Sequence, residues 1–137
     1  MSERRSFLKK LSAAAALAIF NPFTKNAEAN GIKLTGALVH HVFFWLKEPN
    51  NPAVRKQFEK ALNDLLKVES IKFSHVGKPA GTESRDVVDH SYTYSMITFF
   101  DSQAGQDAYQ VDPIHEKFVK ENNHLWDKVV VYDSVDF

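Results

Sequence analysis

His115 stands two residues after Pro113 in the stretch Tyr109-Gln-Val-Asp-Pro-Ile-His115. Proline disfavours helical geometry in the residue before it, so a helix running through Tyr109 must stop by Asp112. A new helix can start at once, because Asp is a good N-cap and proline suits the first helical position. His115 then lies in the first turn. The positive end of the helix dipole disfavours a charged imidazolium there. A neutral imidazole is what a general base or a polar ligand contact needs. Tyr109, one break upstream, can point into the same space. The plainer alternative is a half-buried histidine making a structural hydrogen bond beside a core tyrosine.

The six histidines do not suggest a metal site. His40 and His41 are adjacent, so on a strand they point to opposite faces and cannot chelate together. His75, His90, His115 and His124 lack the spacing of a helix- or loop-borne metal site. His41 is expected at a contact between sheets, and His90 and His124 in solvent. The absence of cysteine rules out disulfides and thiolate ligands. There is no Gly-rich phosphate loop and no Gly-x-Ser-x-Gly, which argues against phosphoryl transfer and acyl-enzyme chemistry. Any reaction would run without a metal or cofactor.

The elements that must position these residues follow from periodicity. Ala37 to Leu46 reads as a strand with apolar residues on both faces, which implies burial on both. Val54, Phe58, Ala61, Leu62 and Leu65 form one apolar stripe on a helix from about Pro52 to Val68. Ile71 to Val76 is a second strand. Residues 77–90 are polar, with Gly77, Pro79 and Gly81, and form a long loop, either plain surface or a flap. Tyr92 to Phe100 is a third strand, with Tyr94, Met96 and Thr98 on one face. Ser102 caps a helix running to Val111, and Ile114 and Phe118 belong to the helix after Pro113. Lys128 to Val135 is the last strand. Trp45 and Trp126 read as core or partner contacts. The order β-α-β-β-α-β is ferredoxin-like, an α+β arrangement whose sheet is covered by helices on one face only. A second copy packed sheet against sheet would cover the other face of the first strand, so a homodimer is expected.

The first 29 residues do not belong to that fold. Arg4-Arg5-Ser6-Phe7-Leu8-Lys9 matches the twin-arginine export pattern, an apolar run from Leu11 to Phe20 follows, and Ala27-Glu28-Ala29 is a small-x-small cleavage signature. The run is shorter than the ~20 residues a membrane span needs. Residues 1–29 are therefore expected to be a cleaved signal. The mature domain at 30–137 would be periplasmic or secreted, with no membrane contact after cleavage. That domain carries 12 basic and 15 acidic residues, net −3. A nucleic-acid partner leaves a basic footprint, and none is present. The full chain holds eleven Phe, four Tyr and two Trp, many for its length, so the core is aromatic or some of that surface meets a partner or ligand.

The segment from Tyr109 to His115, followed by Leu125-Trp126-Asp127-Lys128-Val-Val-Val-Tyr132-Asp133, resembles the stress-responsive A/B barrel domain family, abbreviated Dabb. The strand His40-His-Val-Phe-Phe-Trp-Leu-Lys47 resembles that family's opening strand. The resemblance covers about Leu34 to Phe137 and implies a dimeric α/β barrel. It also bears on chemistry through one member, plant olivetolic acid cyclase, which has a Tyr and a His at the positions of Tyr109 and His115. In that member the His is base and the Tyr assists an aldol-type ring closure. His40 matches another of its pocket positions. At the remaining one this chain has Tyr94 in place of His, and Asp112 stands where many members have His. The resemblance thus implies a cavity lined by His40, Tyr94, Met96, Tyr109 and His115. Such a cavity would hold a small hydrophobic or aromatic molecule. Three uses stay open: a lyase or cyclase acting by proton transfer, a non-catalytic binding protein, and a cofactor-free monooxygenase.

Overall fold

The structure, a computed structural model, describes residues 31–137. The signal assigned to residues 1–29 lies outside the described residues. The compact unit is Leu34–Phe137. Its elements are β1 (Leu38–Leu46), α1 (Pro52–Leu65), β2 (Phe73–Gly77), β3 (Tyr94–Phe100), α2 (Gln103–Gln110), α3 (Pro113–Asn122) and β4 (Trp126–Val135). The four strands form one antiparallel sheet in the order β2-β3-β1-β4. Both β1 and β2 run antiparallel to β3, so they are parallel to each other and α1 is the crossover between them. This is the α+β, ferredoxin-like arrangement. Among the described residues no helix is long and apolar enough to cross a membrane.

Each boundary has a local cause. The Asn51 side chain caps α1 by accepting from the Ala53 and Val54 amides, and Pro52 occupies a position where a missing N–H costs nothing. The helix was expected to reach Val68. It stops at Leu65 because the Lys67 and Val68 amides bond back three residues, to Asp64 and Leu65, a tightening common where helices end. The Ile71 amide is used in the next turn by the Val68 carbonyl, which delays β2 to Phe73. Ser102 caps α2 through the Gly105 amide, as expected. Leu125 belongs to a short 3-10 turn after α3.

Sheet parity decides where side chains go. Along β1 the even positions from Leu38 to Leu46 are buried and the odd ones are half-buried. β3 alternates the same way, with Tyr94, Met96, Thr98 and Phe100 buried. The helices cover this inner face with Phe58, Leu62 and Leu65 from α1, Tyr109 from α2 and Phe118 from α3. The centre is aromatic. Phe44 lies 5.1 Å from Phe58 and 5.4 Å from Trp126 between ring centroids, and Trp126 stacks on Phe118 at 5.8 Å. The register shift between Trp45 and Leu46 against β4 turns Trp126 to this side.

The outer face is left to Val39, His41, Phe43 and Trp45 of β1 and Ile97 and Phe99 of β3, all half-buried. The Trp45 indole N–H donates to Ser91, and the Lys128 ammonium sits 4.4 Å above its ring. The expectation for His124 holds, since it is exposed. His90 differs: it is half-buried, because Thr82 on the same loop lies 3.0 Å from its Nε2.

Candidate functional site

The break between α2 and α3 creates the first functional geometry. In an uninterrupted helix the Gln110 carbonyl would accept from the Ile114 amide, four residues on. Here the Asp112 carboxylate takes that amide at 2.8 Å, as an N-cap. The freed Gln110 carbonyl instead lies 3.1 Å from His115 Nδ1. A carbonyl can only accept, so Nδ1 carries the proton and Nε2 of the neutral ring keeps a lone pair. The ring lies 4.4 Å from that of Tyr109.

Tyr109 is 1% exposed. Burial alone pushes this phenol above its ordinary range, so it stays a donor. On the other side of Tyr109 the ring of His40 lies edge-on at 5.6 Å. His40 is buried, and its Nδ1 is 2.6 Å from Asp133 Oδ1. The two are register partners on β1 and β4. Asp133 is half-exposed, so this contact joins a buried imidazole to the protein surface. The carboxylate fixes Nδ1 as the protonated nitrogen and leaves Nε2 free.

His40, Tyr109, Gln110 and His115 line one cavity of about 140 Å³ between the sheet and the α2–α3 break, together with Met96. The valines Val119, Val129 and Val131 are 36–44% exposed and border it. The cavity therefore joins an apolar rim to three polar groups: two imidazole Nε2 atoms and one phenol. Such a set can donate to an oxygen where charge develops and can move a proton.

Tyr94 does not join them, contrary to the expectation. It faces the same side of the sheet, but two residues beyond Met96 along β3, which is ~7 Å further on. Its hydroxyl donates to Glu59 at 2.5 Å, and the Arg55 guanidinium lies 4.8 Å from its ring. Burial and then the Glu59 carboxylate push its pKa up. It lines a separate, shallow cleft with Glu59 and Val76. Nor does the 77–90 loop cover the cavity. Its Lys78 and Pro79 border shallow clefts beside Tyr94 and Trp45 instead.

Asp133 is the residue that sequence reasoning missed. It sits in the quoted Val-Val-Val-Tyr132-Asp133 run without a role. Alternation carried the signal: Val129, Val131 and Asp133 share the inner face, which places a carboxylate on an otherwise apolar side. Among the described residues no three His, Asp or Glu side chains converge as metal ligands would.

With the geometry in place, comparison with known proteins is informative. The model of the stress-responsive A/B barrel domain matches residues 38–136. A Dabb protein with a ferredoxin-like fold from Mesorhizobium loti is 22% identical, with a TM-score of 0.62 over 75% of this chain and 99% of its own. The hydroxynitrile lyase of Passiflora edulis is 21% identical, with a TM-score of 0.64 over 76% and 96%. A dimeric ferredoxin-like protein from Thermobifida fusca is 17% identical, with a TM-score of 0.60 over 74% and 92%. A search of curated proteins found no significant sequence match. Nearly the whole described fold lies within the family match, and the chain belongs to the stress-responsive A/B barrel domain (Dabb) family.

Proposed function

We propose that this protein binds a small, largely apolar carbonyl compound in the His40–Tyr109–His115 cavity and acts on it by cofactor-free proton transfer, as a lyase or cyclase does. The observation that carries this reading is the buried Tyr109 phenol, held between two imidazoles whose Nδ1 atoms are both already committed. Tyr109 donates to the ligand oxygen. His115 Nε2 takes a proton from a ligand hydroxyl or from a carbon next to the carbonyl. His40 positions the ligand and is itself positioned by Asp133, which stabilises any positive charge arriving on the ring. The lyase activity of the Passiflora protein on the same fold supports the reaction class.

The size of the cavity limits the ligand. An apolar cavity of about 150 Å³ takes benzene, so one ring or a short chain bearing one carbonyl fits here. That argues against an extended polyketide, and the different placement of Tyr94 argues the same way. The half-exposed outer face and the dimeric Thermobifida structure support a sheet-to-sheet homodimer. We further propose that residues 1–29 export the protein to the periplasm or beyond.

The test is a thermal-shift and NMR screen of cyanohydrins, β-hydroxy ketones and aryl aldehydes, followed by turnover assays. Stabilisation by a one-ring carbonyl compound and turnover abolished in His115→Ala, with the fold retained, support the proposal. Binding without turnover in any of these classes would reduce the protein to a binder. Binding that survives a Tyr109→Phe, His115→Ala double change would overturn the site.

A further inference from the structure

The outer face of the sheet carries a second set of histidines that the proton-transfer cavity does not use. Ile97 of β3 pairs with His75 of β2 on one side and His41 of β1 on the other, and His41 pairs with Tyr132 of β4. These four residues form one row across the sheet. The adjoining rows hold Phe73, Phe99 and Val39 on one side, and Ser95, Phe43 and Val130 on the other. The His41 ring lies 4.2 Å from that of Phe43, which in turn meets Tyr92 and Tyr132. The row sits in the middle of the apolar patch.

We propose that the His41–His75 row is an acid-release device, in which protonation of this face separates the two copies of the sheet-to-sheet dimer. The inference rests on the dimer proposed above. It follows from which charges meet on the face. β2 contributes only His75 and β3 contributes no ionisable group. β4 contributes Tyr132 and, further along, Lys128 above Trp45. From β1, the neighbouring His40 faces inward to Asp133. The marginal carboxylates are engaged elsewhere: Asp101 lies 3.5 Å from the Lys72 ammonium, Asp136 accepts from the Gly36 amide, and Asp89 accepts from the Ser91 amide and acts on Lys128. Among the described residues no acidic group acts on His41. An imidazolium formed there has no counter-ion among the described residues, and a second copy would strip its remaining water and add like charges from its own row.

The direction of the effect is fixed. In one protomer, burial and then the imidazoles of His40 and His75 already hold His41 below its ordinary value of 6.5. Covering the face with apolar surface lowers it further. The dimer therefore excludes protons that the separated protomers accept. Association is strongest above about pH 6.5 and weakens as pH falls. If only His41 of each copy titrates, the Kd rises by up to about a hundredfold per pH unit.

Sedimentation equilibrium of the full chain between pH 8 and pH 5 tests this, with circular dichroism confirming the fold at each point. The expected result is a dimer at pH 8 whose Kd rises at least tenfold by pH 5.5, with the slope flattened in a His41→Gln, His75→Gln variant. A dimer with a pH-independent Kd overturns the device and leaves the dimer standing. A monomer at every pH overturns both. Should the variant misfold, wild-type protein suffices: the NMR titration midpoint of His41 must fall as concentration rises, and a concentration-independent midpoint refutes the device.

Discussion

Asp133 and His40 face each other across β4 and β1, with Oδ1 and Nδ1 2.6 Å apart, and they differ sharply in exposure. The imidazole is buried and depends on this one acceptor for its Nδ1–H. Removing the acceptor leaves a buried donor unsatisfied, which costs about 1–3 kcal/mol. Asp133→Ala should therefore lower stability by about that amount in urea denaturation, whereas Asp133→Asn, whose amide oxygen still accepts, should lose less than half as much. Equal losses in the two variants would show that the contact contributes little.

The α2–α3 break offers a separate test. Asp112→Ala removes an N-cap and should cost about 0.5–2 kcal/mol. Pro113→Ala permits the helix to run on, so the Gln110 carbonyl can return to the Ile114 amide. The His115 Nδ1 proton, visible by NMR at low temperature, should then lose its hydrogen-bonded shift. An unchanged signal would mean that the break is held by other contacts.

Alkaline titration reads the two buried phenols. Tyr109 and Tyr94 are both held above the ordinary tyrosine range, the first by burial, the second by burial and Glu59. The folded chain keeps these protons where the unfolded chain, near pH 10, releases them. Stability should thus fall as pH rises past about 10. Phenolate absorbance from these two residues should arrive only together with unfolding, and Tyr109→Phe should remove part of that alkaline loss. Reversible ionisation of Tyr109 in a folded chain would contradict its burial.

Phe58 is fully buried at the centre of the aromatic cluster. Phe58→Ala should cost about 3–5 kcal/mol in denaturant midpoint analysis. By contrast Val131, 44% exposed at the cavity border, can be enlarged without a comparable loss. Val131→Trp should leave stability within about 1 kcal/mol of wild type while blocking ligand-induced thermal shifts. Undiminished shifts would place the entrance elsewhere.

Much of this arrangement is legible in the sequence. The Asp112-Pro113 punctuation located His115 in its helix turn, and the alternation in β1 separated His40 from His41. Parity could say that Tyr94 and His40 share a face. It could not say how far apart they fall, because that distance depends on which strands are neighbours and in what register. The same gap hid Asp133, whose partner lies 93 residues away in sequence and becomes adjacent only when β4 pairs with β1. The role of Gln110 was equally invisible, since it acts through its backbone and no side-chain pattern marks a carbonyl released by a cap.

The site is consequently made of two halves with different robustness. Tyr109, Gln110 and His115 lie within seven consecutive residues and are fixed by one local chain break. Asp133, Val129 and Val131 belong to β4, an edge strand at the C-terminal end of the described fold. Strand ends and edges open at lower free energy than the core. Fraying of β4 would unpin His40 and dissolve the valine border while the Tyr109–His115 pair stayed intact. Gentle denaturation should therefore reach a stage at which the proton-transfer pair survives in a chain that no longer grips its ligand.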